Sequence, residues 1–236
     1  MSQHIVSSFD RDLEAAQAMV VKMGGLVESQ VLDAAQALED RDEELAEQVR
    51  QRDKQVDQLE EMINTEAARL IALRAPHATD LRVALSVIKI AGSLERVGDY
   101  AKNMGKRTKV IAEMPTINAS SGAIKRMAVE VEGMLKDAID SFIQRDANLA
   151  ADVRARDVQI DQMYNALFRE FLTYMMEDPR NITPCMHLHF IAKNIERMGD
   201  LCTSIAEQVT YLVTGEMPDD ARPKADSVTD FVPGES

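Results

Sequence analysis

Residues 95–99 read Glu-Arg-Val-Gly-Asp, and residues 196–200 repeat this signature as Glu-Arg-Met-Gly-Asp. The glutamate and the aspartate of each copy are four residues apart, so on a helix both carboxylates lie on one face, with Cβ atoms about 5–6 Å apart. A second acidic signature, two aspartates four residues apart, begins at Asp53 and recurs at Asp157. Each half of the chain therefore carries two carboxylate pairs that can chelate a cation.

The two halves of the chain form an internal repeat. Asp53 matches Asp157 at an offset of 104 residues, whereas Glu95 matches Glu196 at an offset of 101. Because the offset slips between the second and the third helix of each half, we expect the three-residue difference in the proline-containing connections.

Apolar residues at steps of three or four predict six long amphipathic helices. The predicted helices extend from about Ile5 to Leu38, from after Asp42 to Leu73, from after Asp80 to about Ala112, from Ile124 to Phe142, from after Asp146 to Phe171, and from after Thr183 to Leu212. Turn-forming residues at 114–122 separate the halves. The predicted fold is all-α: two tandem, pseudo-symmetric three-helix bundles at 1–114 and 115–214, followed by a disordered acidic tail at 215–236.

Composition excludes several classes of function. The chain has 236 residues and a net charge of −13, and no segment concentrates lysine and arginine enough to bind a run of phosphates, so nucleic acid is not an expected partner. No apolar run approaches the roughly 18 residues that a membrane span needs. The two cysteines, Cys185 and Cys202, form no CxxC pair and no disulfide framework. We therefore expect a cytoplasmic protein.

The acidic pairs predict a metal site. If the second and third helices of the first half pack side by side, Asp53 and Asp57 face Glu95 and Asp99 around one volume, where four carboxylates repel each other unless a cation neutralises them. All-oxygen ligation suits Mg, Mn, Ca or Fe, and Zn is less favoured without cysteine or histidine. Gly98 lies one position before the second carboxylate, where a missing side chain lets a neighbouring helix or an ion come close.

Two other interpretations remain open at this point. In a metal-free helical scaffold, Arg96 and Arg197 pair with acids across the helices. In a di-metal carboxylate enzyme, facing helices supply a Glu-x-x-His pairing, but no histidine in this chain has a glutamate three positions before it. His187 and His189 point about 200° apart on a helix and are not expected to be joint ligands.

The chain resembles the PhoU family of phosphate-responsive regulators. The resemblance rests on residues 94–103, on the weaker second copy at 195–200 and on Asp-Leu-Arg at 80–82. It implies metal ligands in both bundles: Asp53, Asp57, Glu95 and Asp99 in the first, and Asp157, Asp161, Glu196 and Asp200 in the second. At residues 201–204 the chain reads Leu-Cys-Thr-Ser, where the family's second copy tends to read His-Ala-Thr-Asn. We therefore expect the second site to bind fewer or weaker ions.

The resemblance also implies a function. It implies a negative regulator of phosphate uptake and of the phosphate-starvation response in bacteria, and not an enzyme. Such a protein is a metal-binding cytoplasmic adaptor between the ATPase of the phosphate ABC transporter and a membrane sensor histidine kinase. The resemblance further implies a homodimer, and peripheral association with the inner membrane only through partners.

Overall fold

The computed structural model describes residues 2–74, 78–117 and 120–218, and these residues form six α-helices and no strand. The helices are α1 (Ser2–Asp40), α2 (Glu43–Arg74), α3 (Ala78–Ala112), α4 (Ser120–Gln144), α5 (Ala147–Glu177) and α6 (Ile182–Thr214), with a 3₁₀ turn at Pro179–Asn181. Within this part of the chain, no helix offers an apolar stretch long enough to cross a membrane. The connection that contains Pro76 and the predicted tail from residue 219 onward lie outside the described residues.

Equivalent turns join α1 to α2 and α4 to α5. Arg41 and Arg145, which are 104 residues apart, adopt left-handed backbone conformations with φ of 55° and 56°. The next residue in each turn is an aspartate that caps the following helix. Asp42 Oδ1 accepts a hydrogen bond from Leu45 N at 2.9 Å, and Asp146 Oδ1 accepts one from Asn148 N at 2.8 Å. The internal repeat therefore extends to the chemistry of its turns.

The link between the two halves is shorter than the turn-forming stretch at 114–122. α3 ends at Ala112, and α4 already begins at Ser120, so residues 120–122 form the first turn of α4. Ser120 is fully buried, and its hydroxyl has no hydrogen-bond partner among the described residues, so packing rather than a side-chain cap accompanies this helix start. The boundary predicted between residues 114 and 115 falls in this link.

The six helices form two three-helix bundles that share one continuous core. Within the first bundle α1, α2 and α3 contact one another, and within the second α4, α5 and α6 do the same; α1–α4 and α3–α6 contacts join the bundles. Leu94 and Val97, and their repeat counterparts Ile195 and Met198, are fully buried in that core. The predicted all-α fold of two pseudo-symmetric bundles is confirmed.

Helices α3 and α6 pack antiparallel to each other. At the end of α3, Arg107 Nη1 lies 3.3 Å from Nδ1 of His187 at the start of α6, and Arg107 Cζ lies 4.4 Å from the Phe190 ring centroid. At the start of α3, the Arg82 guanidinium lies against Gly215, which follows α6. This antiparallel packing brings the two copies of the Glu-Arg-x-Gly-Asp signature, in the middle of each helix, alongside each other.

The two cysteines and two histidines of α6 take part in packing. Cys185 and Cys202 are buried and form no disulfide, and burial raises the pKa of the Cys202 thiol. The His189 ring packs against aromatic rings, with its centroid 5.3 Å from that of Phe168. His187 instead faces Arg107. The two histidines therefore have different surroundings, as the sequence predicts.

Candidate functional site

The first acidic cluster lies between α2 and α3 and comprises the four predicted carboxylates. Asp53 is only 3% exposed, Asp57 is exposed, and Glu95 and Asp99 are half-buried. Burial raises the pKa of Glu95, and the negative charges of Asp99, Asp57, Glu60 and Asp53 raise it further. The four acids that the sequence places in the first half therefore influence each other across this interface.

Lys102 of α3 supplies the positive charge within the first cluster. Its Nζ donates hydrogen bonds to Asp53 Oδ2 and, at 2.5 Å, to Asp99 Oδ1. Burial alone lowers the pKa of Lys102, but the hydrogen bonds and charges of the two aspartates outweigh burial and raise it above its ordinary value. Arg96, which the scaffold interpretation assigned to this role, makes no ion pair with a described residue. The neutralising residue is thus a lysine that the sequence analysis did not single out.

Two buried oxygens meet beside Gly98. A Cβ on Gly98 would lie 3.5 Å from Asp53 Oδ1 and 3.3 Å from Gln30 Oε1, so the missing side chain lets α1 and α2 approach α3 closely. Neither oxygen has a hydrogen-bond partner among the described residues. Gln30 is fully buried, and its amide nitrogen donates to the carbonyl oxygen of Val49. Unpaired buried acceptors of this kind favour a bound proton donor or cation.

Gln30 is a residue that the sequence analysis missed. A signal for it exists, because Gln30 lies three residues after Val27 and one before Val31, within the apolar stripe of α1. A polar residue in a buried stripe needs a partner. At the repeat offset of 104, its counterpart is the fully buried Met134.

The second acidic cluster lies between α5 and α6 and comprises Asp157, Asp161, Glu196 and Asp200. Asp157 is 3% exposed, and a Cβ on Gly199 would lie 3.1 Å from its Oδ1. Burial raises the pKa of Glu196, the charge of Lys193 opposes this shift, and Asp200 and Asp161 add to it.

Lys193 is the lysine partner in the second cluster. Its Nζ lies 2.7 Å from Glu196 Oε1, one helical turn away on α6, and 4.9 Å from the Tyr164 ring centroid. The other carboxylate oxygen, Glu196 Oε2, is buried without a hydrogen-bond partner among the described residues. Arg197 makes no ion pair with any of these residues.

Both clusters offer oxygen donors that suit hard cations. No three histidine, cysteine, aspartate or glutamate side chains in the described ranges already stand at metal-ligand geometry. In the first cluster, the Lys102 ammonium lies between two of the four carboxylates. Loading a metal there therefore requires this ammonium to move away.

Comparison with known proteins assigns the family. The PhoU domain model matches the chain twice, at residues 20–108 and 124–209, once in each bundle. This chain belongs to the PhoU family. Each PhoU domain thus contains one acidic cluster, and the domain duplication coincides with the internal repeat.

Relatives resemble the chain over nearly its full length. The phosphate-specific transport system accessory protein PhoU homolog of Caulobacter vibrioides is 47% identical over 226 residues, covering 96% of this chain and 98% of that protein. The homolog of the same name from Rhizobium meliloti is 44% identical over 233 residues, covering 96% and 98%. The crystal structure of PhoU from Pseudomonas aeruginosa matches with a TM-score of 0.85 at 39% identity, covering 88% of this chain and 100% of that one. The Caulobacter vibrioides and Rhizobium meliloti homologs are named as accessory proteins of phosphate-specific transport.

Proposed function

We propose that this protein is a negative regulator of phosphate uptake and of the phosphate-starvation response, acting as a metal-binding adaptor. Its partners are the ATPase of the phosphate ABC transporter and a membrane sensor histidine kinase, which it meets from the cytoplasmic side, as a homodimer. The observation that carries the proposal is the presence of one acidic cluster in each of two PhoU domains, in a chain whose relatives are accessory proteins of phosphate-specific transport.

The proposed metal ligands are the eight carboxylates of the two clusters. In the first cluster, the buried Asp53 Oδ1 has no hydrogen-bond partner among the described residues, and burial raises the pKa of Asp53 even though Lys102 opposes the shift. In the second cluster, Glu196 Oε2 is likewise buried without a hydrogen-bond partner among the described residues, and burial raises the pKa of Glu196 although Lys193 opposes the shift. Both observations indicate carboxylates that gain from a nearby positive charge. A bound Mg, Mn, Fe or Zn ion supplies that charge and joins two helices of a bundle.

Metal analysis tests the ligand assignment. We expect untagged protein purified without chelators to contain bound metal by elemental analysis, and Mn²⁺ or Mg²⁺ to raise the melting temperature of the stripped protein. The variant with both Glu95→Gln and Glu196→Gln loses most of that rise. Asp152→Asn, which removes an exposed carboxylate of α5 that belongs to neither cluster, keeps it. Near-zero metal and an unaltered melting temperature would contradict the metal assignment.

A genetic experiment tests the regulatory role separately. Deleting the gene should switch on phosphate-starvation genes in phosphate-rich medium, and the wild-type gene supplied in trans should switch them off again. The Glu95→Gln variant should complement poorly and should capture less transporter ATPase and kinase from membranes than the wild type. A deletion strain with normal repression would count against the regulatory role, whatever the metal content.

A further inference from the structure

The arginines of the two signature copies line one groove. This groove lies between α3 and α6, has a volume of about 600 Å³, and is lined by Arg96, Tyr100, Arg197, Asp200, Leu201 and Ser204. Arg96 and Arg197 are equivalent in the internal repeat, and the antiparallel packing of α3 and α6 brings them to the same place. We propose that this groove binds a small tetrahedral oxyanion, inorganic phosphate, directly and without a metal ion.

The two arginines are available for a ligand. Glu95, Asp99 and Glu196 face α2 or α5, and Lys102 and Lys193 pair with Asp99 and Glu196. Asp200 is the one signature acid that also lines the groove. Arg96 and Arg197 point elsewhere: both are exposed, and neither forms an ion pair with a described residue. Apart from Asp200, the carboxylates of the signatures thus lie on a different surface from the guanidinium groups.

The chemistry of the groove matches a phosphate ion. A guanidinium group presents paired N–H donors that fit two oxygens of a tetrahedral anion, and two such groups neutralise its charge. Tyr100 also lines the groove. With two guanidinium groups and one carboxylate, the groove has a net positive charge in a chain whose net charge is −13.

Asp200 selects phosphate over sulfate. An ionised carboxylate only accepts hydrogen bonds, so it repels an anion that has no proton to donate. Phosphate near neutral pH carries at least one proton and can donate it in a hydrogen bond to Asp200, whereas sulfate carries none. The single carboxylate of the groove therefore favours the protonated anion.

Calorimetric titration of the full chain with inorganic phosphate tests this site. The protein is stripped of metal with a chelator first, so that phosphate held by a metal ion makes no contribution. We expect one phosphate per chain, binding at least about tenfold weaker in Arg96→Gln and in Arg197→Gln, because each change removes a charged hydrogen-bonding group. The double variant should show no binding. Sulfate should bind at least about tenfold more weakly than phosphate.

The control is Arg169→Gln, which removes an exposed arginine of α5 away from the groove and should leave phosphate binding unaltered. Circular dichroism verifies that each variant is helical. Four results overturn the proposal: no binding to the wild type, binding retained in the double variant, equal weakening in Arg169→Gln, or sulfate binding as tightly as phosphate. Because the titration excludes metal, its failure leaves the metal and repression experiments untouched.

Discussion

The two acidic clusters have the same four carboxylate positions but different lysines. In the first cluster Lys102 follows Asp99 by three residues, and its counterpart at the repeat offset of 101 is Thr203. In the second cluster Lys193 precedes Glu196 by three residues, and its counterpart in the first half is Gly92. The duplicated fold thus preserves its acids and varies its internal cations.

This difference determines what a metal ion must displace. Lys102 joins α3 to the buried Asp53 of α2, so it both neutralises the first cluster and ties two helices together. Lys193 pairs with Glu196 within α6. A metal ion entering the first cluster, as we propose, would have to break two ion pairs, and one of them is largely buried. The altered residues at 201–204 predict a weaker second site, whereas Lys102 argues for the opposite order, with the second cluster loading first.

The largest expected effect comes from Lys102→Met. Removing one partner of a buried pair leaves the other charge uncompensated, and the Asp53 side chain is only 4% exposed. Because Lys102 is itself 25% exposed, we expect a loss at the lower end of the usual range, about 3 kcal/mol. This lowers the melting temperature of metal-free protein by about 6–12 °C. Differential scanning calorimetry measures the change.

Lys193→Met is the matched control for Lys102→Met. This lysine is 35% exposed and pairs on its own helix, so its removal should decrease stability by about 1 kcal/mol at most. Mn²⁺ should raise the melting temperature of Lys102→Met more than that of the wild type, because no ammonium group competes with the ion in the variant. Adding Asp53→Asn to Lys102→Met should recover part of the loss. Equal losses in the two lysine variants would show that the clusters do not differ in this way.

Alanine substitutions at the two signature glycines, Gly98 and Gly199, should differ in stability by less than the two lysine variants do. A Cβ on Gly199 would lie 3.1 Å from Asp157 Oδ1, whereas the nearest atom to a Cβ on Gly98 is Gln30 Oε1 at 3.3 Å, and Asp53 Oδ1 is 3.5 Å away. Replacing glycine by alanine in a helix interior stabilises the helix by about 1 kcal/mol. We expect this gain to offset the tighter packing in Gly98→Ala, leaving stability within about 0.5 kcal/mol of the wild type.

Gly199→Ala should instead lose about 1–2 kcal/mol, because crowding against a buried carboxylate outweighs the helix preference. Urea denaturation of both metal-free variants measures the two free energies of unfolding. A Gly199→Ala protein more stable than the wild type would show that α5 moves aside easily. The close approach of α5 to α6 would then not explain why this position is glycine.

Periodicity and turn residues were sufficient to predict the helices. Steps of three or four apolar residues mark all six, and Asp42 and Asp146 mark where α2 and α5 begin. The start of α4 was harder to predict, since serine and glycine at 120–122 are as typical of a loop as of a first helical turn. Local preferences at that point are weak, and packing of the helix decides.

The candidate site was predictable in its acids but not in its cations. Spacing places two carboxylates on one helix face, and repetition shows which pairs to choose. Lys102 gives no such signal, because a long flexible side chain reaches partners on its own helix or on another equally well. Only the packing of α2 against α3 shows that it contacts Asp53. The metal-free scaffold interpretation paired Arg96 and Arg197 with acids across the helices, but neither arginine forms an ion pair with a described residue. Neighbouring residues on a helix point in different directions, so these arginines do not share the face of the acids next to them.

The smallest expected effect is a dependence of stability on pH that Glu95→Gln removes. Burial, followed by the charges of Asp99 and Asp57, raises the pKa of Glu95 above its ordinary value of 4.5. A carboxyl group whose pKa is higher in the folded state contributes stability that is fully present below the unfolded pKa and is lost as the pH rises through the folded pKa. Glutamine does not ionise, so the variant avoids this loss.

Metal-free Glu95→Gln should therefore be more stable than the wild type at pH 7, by about 0.5 kcal/mol or 1–2 °C. The advantage should shrink as the pH falls through the raised folded-state pKa of Glu95, and it should be gone below the ordinary value of 4.5. Thermal melts between pH 4 and pH 7 measure this difference. Saturating Mn²⁺ at pH 7 should reverse the order, because the charge that destabilises the empty cluster is the charge that binds the ion. A variant that is less stable than the wild type without metal would mean that Lys102 already compensates the whole first cluster, Glu95 included.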